Sequence, residues 1–252
     1  MDEIVCIIPA RLGSYRFPDK PFADICGMSM LEHVWHRARL YPEFREIYVA
    51  TPNREIADHV QDFGGKVIMT SDNVRRATDR VAEAASKIPD ADIIVNLQGD
   101  EPLIVPEMFD QVLAPIKADP ALACVNLVRK ADLAEAADVH EVKVVMNEKS
   151  EALYFSREPI PSKFLGSRAN DYWIEICIFP FTKRSLTRFS DLPSTDLEEI
   201  ESIDMLRLLG HGETVKIVET NHQTCSVDVP EDLEKASFLM ERDSFYDLYR
   251  NE

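Results

Sequence analysis

Three cations fall within ten residues in "RLGSYRFPDK": Arg11, Arg16 and Lys20. They follow an apolar run that ends at Ala10, in a chain whose formal net charge is −17. Cations gathered on one loop of so acidic a protein suit a local grip on a polyanion such as a nucleotide triphosphate. Loop N–H groups and a helix N-terminus would share the load. The plainer reading is a solvated surface. Acids stand at two distant places, Asp100 in "QGDEP" and Asp228 in "SVDVPED". Mg²⁺ takes few carboxylates from a protein and fills its remaining positions with substrate phosphates. Here too a plainer reading exists: "GDEP" is built of turn residues, and "VPED" could be no more than a helix start.

Residues so far apart can act together only if the fold brings them to one place. "IVCIIP" (4–9), "EIYVA" (46–50), "KVIMT" (66–70) and "DIIVNL" (92–97) are apolar, β-branched runs, as expected of strands buried on both faces. Between them lie helical patterns: Leu31, Val34, Trp35 and Ala38, then Ile56, Val60 and Phe63 ahead of Gly64-Gly65. Val81, Ala84, Ala85 and Ile88 trace a third helix, and Pro106 opens a fourth. Strands alternating with helices predict an α/β fold, a mostly parallel twisted sheet with helices on both faces. The second half is more mixed, with strands expected at 122–128, 142–146, 152–156, 173–179 and 213–219 and helices at 195–210 and 230–240. In an open parallel sheet ligands sit at the carboxyl ends of the strands. Arg11 to Lys20 follow the first strand, Asp100 follows the fourth, and Asp228 follows a late extended stretch.

Bulk properties narrow the function classes. Neutralising a nucleic-acid backbone needs a basic face, which this composition does not offer. No apolar run reaches about 18 residues, so no membrane insertion is expected. The opening "MDEIVCIIPA" lacks the form of a signal peptide. The five cysteines never fall as C-x-x-C and mostly lie in apolar contexts, which suits buried thiols in a reducing cytoplasm. Neither G-x-G-x-x-G nor G-x-x-x-x-G-K-[ST] occurs, so the common dinucleotide and P-loop sites are excluded.

Over essentially its whole length the chain resembles the CMP-KDO synthetases, the 3-deoxy-manno-octulosonate cytidylyltransferases. The likeness rests on "IIPARLGSYRFPDKPFADICG", "ATDRVAEA", "IIVNLQGDEPLI", "VKVVMNEKSEALYFSREPIP" and "VDVPEDLEKA", in that order. Acylneuraminate cytidylyltransferases share the opening motif, but "YFSREPIP" favours the KDO branch. The resemblance implies a nucleotide-diphospho-sugar transferase-like fold, one cytidylyltransferase domain over 1–252 with a smaller lobe near 150–210 for sugar binding and dimerisation. It implies attack of a sugar's anomeric hydroxyl on the α-phosphorus of CTP, giving a CMP-sugar and pyrophosphate. Arg11 and Lys20 would hold the triphosphate, with Ala10 and Arg16 beside them, and Thr78 and Arg80 would lie near the nucleotide. Asp100 and Asp228 would bind Mg²⁺. Gln98 and Arg157 would face the sugar acid, whose carboxylate suits a bidentate guanidinium. A cytoplasmic homodimer serving lipopolysaccharide or capsule synthesis is the expected setting.

Four departures from the family pattern bear on specificity. Asp19 replaces a glycine in "PDKP", and Arg76-Ala77 replace Ser-Gly ahead of "TDR". In the expected sugar pocket Glu175 replaces a histidine, with Cys177 in place of a glycine, and Asp204-Met205 replace Glu-Gln. Losing donors and gaining the carboxylates of Glu175 and Asp204 would suit a cationic substituent on the sugar. Plain KDO, with Glu175 paired to a neighbouring Arg or Lys, is the simpler alternative. A sialic acid substrate, or a binding protein without catalysis, are the others.

Overall fold

The computed structural model describes residues 3–13, 17–162 and 172–251. The chain divides into two compact units, one of residues 1–109 and 223–252, the other of 110–222.

The first unit is built on β1 (Ile4–Pro9), followed by the short hairpin β2 (Asp24–Ile25) and β3 (Met28–Ser29). Then come α1 (Met30–Arg39), β4 (Phe44–Thr51), α2 (Arg54–Asp62), β5 (Lys66–Met69), α3 (Ala77–Ser86) and β6 (Ile93–Leu97). α4 (Pro106–Ala118) carries the unit boundary, and α9 (Asp232–Met240) returns the chain to the first unit. β1 pairs in parallel with β4 on one side and β6 on the other, and β4 pairs in parallel with β5. The parallel expectation holds because every residue of β1 and β6 is buried, so neither strand has a solvent face. Ser29 caps α1 by accepting from the Glu32 N–H at 3.2 Å. Strand order reverses at β1: the chain runs outward through β4 and β5, then returns to place β6 on β1's free side. That is the switch point of this sheet, and the carboxyl ends of β1 and β6 open there side by side.

A buried network ties the C-terminal segment to α1. Arg37 Nε donates to the Tyr249 hydroxyl at 3.0 Å, and that hydroxyl lies 2.9 Å from His33 Nδ1. His33 Nε2 lies 2.7 Å from the Ile25 carbonyl, which can only accept, so Nδ1 is the acceptor for Tyr249. Burial pushes the His33 pKa down to about 4, in keeping with a neutral ring.

The second unit holds β7 (Cys124–Ala131), α5 (Leu133–Ala136), β8 (Lys143–Met146), β9 (Ala152–Ser156), β10 (Tyr172–Ile176) and β11 (Ile178–Thr182). α6 (Lys183–Asp191), α7 (Asp196–Glu201), α8 (Met205–Gly210) and β12 (Val215–Thr220) complete it. Its sheet runs β12-β7-β10-β8-β9. Among the described residues of this sheet only the β12–β7 pair is parallel, so this half is mixed, as the sequence suggests. The expected helix 195–210 is two helices. Ser202 takes the left-handed conformation at φ 56° and ends α7, letting Ile203 turn inward to a buried position. The expected strand 173–179 is likewise two, parted at Cys177. The helix α6 was not expected; its pattern "KRSLTRFSD" buries only Leu186 and Phe189, too thin an apolar stripe to stand out.

Candidate active site

The loop after β1 and the loop after β6 meet at the switch point. Gly99 lets them approach closely: a Cβ at that position would lie 3.2 Å from the Pro9 carbonyl, a tight contact. Lys20 opens a short 3₁₀ turn, Lys20–Phe22, entered through Asp19 at φ 56°. That is the left-handed region, which a glycine occupies at less cost and which Asp tolerates better than most residues. The Lys20 ammonium then donates to Asp100 Oδ2 at 2.7 Å and stands 3.5 Å from Asp228 Oδ1. Asp228 arrives from the far end of the chain by backbone pairing, since the Val227 N–H donates to the Asp100 carbonyl at 3.0 Å. Asp232, in the first turn of α9, accepts from the Asp228 and Val229 N–H groups at 2.7 and 2.9 Å. The "VPED" segment is therefore a helix start, and through Asp232 it also fixes the backbone of Asp228.

Ala10, Arg11, Thr78 and Arg80, also expected at the nucleotide, lie in the first unit. Ala10 is buried and donates its N–H to the Ala50 carbonyl at 2.9 Å. Arg11 is exposed, and its charge adds to burial in lowering the pKa of Arg80. Thr78 is fully buried and its hydroxyl accepts from Asn96 Nδ2 at 3.2 Å; Gln98 Nε2 in turn donates to Asn96 Oδ1 at 2.9 Å. Asn96 was not expected at all, although a lone amide inside the apolar run "DIIVNL" was the signal for it. Arg80 donates to Thr70 Oγ1 and to the carbonyls of Ser71 and Val74, at 2.5, 3.2 and 2.7 Å. Its guanidinium thus shapes the loop ahead of α3. Arg16 lies outside the described residues.

The expected sugar residues Arg157, Glu175 and Asp204 belong to the second unit. Arg157 donates from Nε to the Glu201 carbonyl at 2.7 Å. Its Nη groups donate to the carbonyls of Val139, His140 and Ser202 at 3.1, 3.0 and 3.3 Å. A guanidinium has five N–H donors, so the bidentate grip expected of Arg157 requires some of these bonds to open. Glu175, on β10, is 7 % exposed and accepts from Asn126 Nδ2 of β7 at 3.1 Å. Burial, and next the charge of Asp204, push its pKa up to about 8; Arg157 and the Asn126 bond pull the other way. Asp204 stands at the N-terminus of α8 without capping it.

Chemically, the first unit offers an ammonium converging with two carboxylates at a sheet switch point. The two carboxylates fit a divalent cation shared with phosphate oxygens, being few in number, all oxygen and aimed at one point.

The likeness to known proteins runs over almost the whole chain. The family profile described as "Cytidylyltransferase" matches residues 5–246. The chain is 40% identical over 240 residues to the 3-deoxy-manno-octulosonate cytidylyltransferase of Escherichia coli, covering 95% of this chain and 97% of that one. It is 38% identical over 245 residues to the 8-amino-3,8-dideoxy-manno-octulosonate cytidylyltransferase of Shewanella frigidimarina, covering 94% and 98%. A solved CMP:2-keto-3-deoxy-manno-octonic acid synthetase complexed with CTP superposes with a TM-score of 0.87 at 40% identity, covering 96% of this chain and 99% of that one.

Proposed function

Because the chain belongs to the cytidylyltransferase family, among the 3-deoxy-manno-octulosonate cytidylyltransferases, we propose that it activates a 3-deoxy-octulosonate sugar acid with CTP, forming the CMP-sugar and releasing pyrophosphate. The observation that carries this reading is the convergence of Lys20, Asp100 and Asp228 at the switch point. A module that only bound nucleotide would have no use for both carboxylates there.

The reaction asks for positioning and charge neutralisation more than for covalent help. Asp100 and Asp228 would hold Mg²⁺, which when bound supplies Lewis-acid polarisation of the phosphate and a more nucleophilic sugar hydroxyl. Lys20 serves two purposes. Before substrate arrives it holds the two carboxylates together against their mutual repulsion. With CTP bound, its ammonium offsets negative charge developing on the α-phosphate and pyrophosphate. Arg11, exposed on the same loop, meets the triphosphate, and Gln98, anchored by Asn96, presents its amide toward the reacting sugar.

We further infer a homodimer formed through the second unit. Leu153 on the outer strand β9 and Leu197 and Ile200 on α7 are 61%, 44% and 78% exposed, which supports an apolar contact there. The five cysteines are all free, which supports a reducing cytoplasmic setting. No described helix is long and apolar enough to cross a membrane. Delivery of the product to lipopolysaccharide or capsule is the fitting destination. Pyrophosphate release with CTP and Mg²⁺, run with KDO, its 8-amino analogue and N-acetylneuraminate, tests the reading. Turnover of an octulosonate is expected, and silence with all three overturns it.

A further inference from the structure

Asp228 is mounted on a segment that no sheet holds, since residues 221–228 form neither strand nor helix. Its backbone is fixed all the same. The Val227 N–H donates to the Asp100 carbonyl at 3.0 Å. The next two N–H groups, of Asp228 and Val229, both donate to one oxygen, Oδ2 of Asp232, at 2.7 and 2.9 Å. Pro230 follows and carries no N–H. Every backbone donor over 227–230 is thereby engaged, two of them by a single carboxylate oxygen.

Helix capping does not account for that carboxylate. The donors a helix leaves over are those of its own first turn, here residues 232–235. The bonds of Asp232 run the other way, to chain that lies before the helix. α9 gives them a firm base. Its Ala236 and Met240 lie in one apolar cluster with Ile25, Leu103 and Val227. Those three stand close after Lys20, close after Asp100 and next to Asp228 in the chain. At the other end of α9, Arg37 Nη2 donates to Met240 Sδ at 3.3 Å and stands 3.0 Å from the Asp243 carboxylate. The helix is thus tied to α1 at one end and holds the Asp228 backbone at the other.

We propose that Asp232 is a positioning residue for Asp228: its Oδ2, carried by α9, sets the backbone from which the Asp228 carboxylate is aimed beside Asp100. The inference rests on the cytidylyltransferase reading above and deepens it. Mg²⁺ demands near-octahedral placement of its oxygen ligands, so a carboxylate on slack backbone would serve it less well. Since one atom accepts both bonds, the oxygen of Asp232 matters here rather than its charge.

The test sets Asp232→Asn against Asp232→Ala, because asparagine keeps one carbonyl oxygen to accept both N–H groups and alanine keeps none. With CTP and the octulosonate saturating, the half-saturating Mg²⁺ concentration for pyrophosphate release should rise about tenfold or more in Asp232→Ala and stay within about threefold in Asp232→Asn. Calorimetric binding of Mn²⁺·CTP without sugar should weaken in the same pattern, whereas binding of CTP in EDTA should not change. A merely structural loss would move the two bindings alike. Glu234→Gln, which neutralises another first-turn acid of α9, should alter neither. Equal effects of asparagine and alanine would assign the effect to charge and overturn the proposal, as would an unchanged metal dependence in both. Should Asp232→Ala fail to fold, Asp232→Ser repeats the comparison with a residue at home in helix starts and too short to keep both bonds. Wild-type silence with KDO and its 8-amino analogue overturns the cytidylyltransferase reading, and the calorimetry then still decides the role of Asp232. Absence of metal-dependent CTP binding in the wild type overturns the two together.

Discussion

Replacing Lys20 with Met tests the catalytic centre most directly. The substitution keeps the length and apolar stem of the side chain and removes only the ammonium. Two opposite unit charges about 4 Å apart attract by roughly 4 kcal/mol at an effective dielectric near 20, and Lys20 makes two such contacts, at 2.7 and 3.5 Å. Most of that gain is offset by desolvation. The three side chains are 12%, 28% and 20% exposed, so solvent screens what remains. The net loss is about 1–3 kcal/mol, and at about 2–4 °C per kcal/mol for a chain of this size the melting temperature should fall by roughly 5 °C. Mg²⁺ should then raise the melting temperature of the variant more than that of the wild type, because no ammonium has to be displaced from the carboxylates. Loss of the positive charge at the phosphates should lower kcat by about 100- to 1,000-fold. Pyrophosphate release and thermal melts with and without Mg²⁺ provide both readings. A variant with kcat within about threefold of wild type, under about 1 kcal/mol of transition-state energy, would refute the role given to Lys20.

Asp19→Gly should be more stable than Asp19→Ala by about 1 kcal/mol in urea unfolding, because both remove the same charge and only alanine pays for φ 56°. Arg207→Met should cost about 3–5 kcal/mol, since Arg207 grips Glu198 through two bonds of 2.7 and 2.9 Å in a wholly buried pair. A loss below about 1 kcal/mol in the same assay would show that pair to be dispensable. The pKa of His33 lies near 4, below its ordinary value of about 6.5, so the stability it confers is complete above pH 6.5 and is lost as pH falls toward 4. His33→Gln should flatten that acid limb of a urea-midpoint profile. The opposite sign applies to Glu175, raised to about 8: its contribution is complete below about pH 4.3 and is lost as pH rises through 8. Glu175→Gln, without substrate, should therefore gain on the wild type across that window.

The first half of the fold was legible because its strands are buried on both faces, so "IVCIIP" and "DIIVNL" carry their structure in composition alone. Placing Lys20 and Asp100 at strand ends followed from that, whereas the late extended stretch expected ahead of Asp228 forms no strand at 221–228. The second half was less legible for a physical reason. Its breaks depend on single backbone conformations, such as Ser202 in the left-handed region, which residue type does not announce. The commitments of Arg80 and Arg157 were hidden as well. Both hold loops by donating to backbone carbonyls, and carbonyls are present at every position of a sequence.

Two asparagines show what the sequence could not separate. Asn96 and Asn126 each interrupt an apolar strand, each is fully buried, and each precedes a leucine. Asn96 is satisfied at both ends of its amide, by Thr78 and by Gln98, and so belongs to the framework of the first unit. Asn126 donates to the Glu175 carboxyl from one end of its amide, and among the described residues its Oδ1 has no hydrogen-bond partner. Folding gains nothing from leaving a buried carbonyl bare, and a polar network only partly satisfied is less stable than an apolar core of the same volume. The same residue type in the same strand setting thus has opposite meanings. Asn96 fixes Gln98 in place, whereas Asn126 leaves one buried carbonyl oxygen without a donor among the described residues.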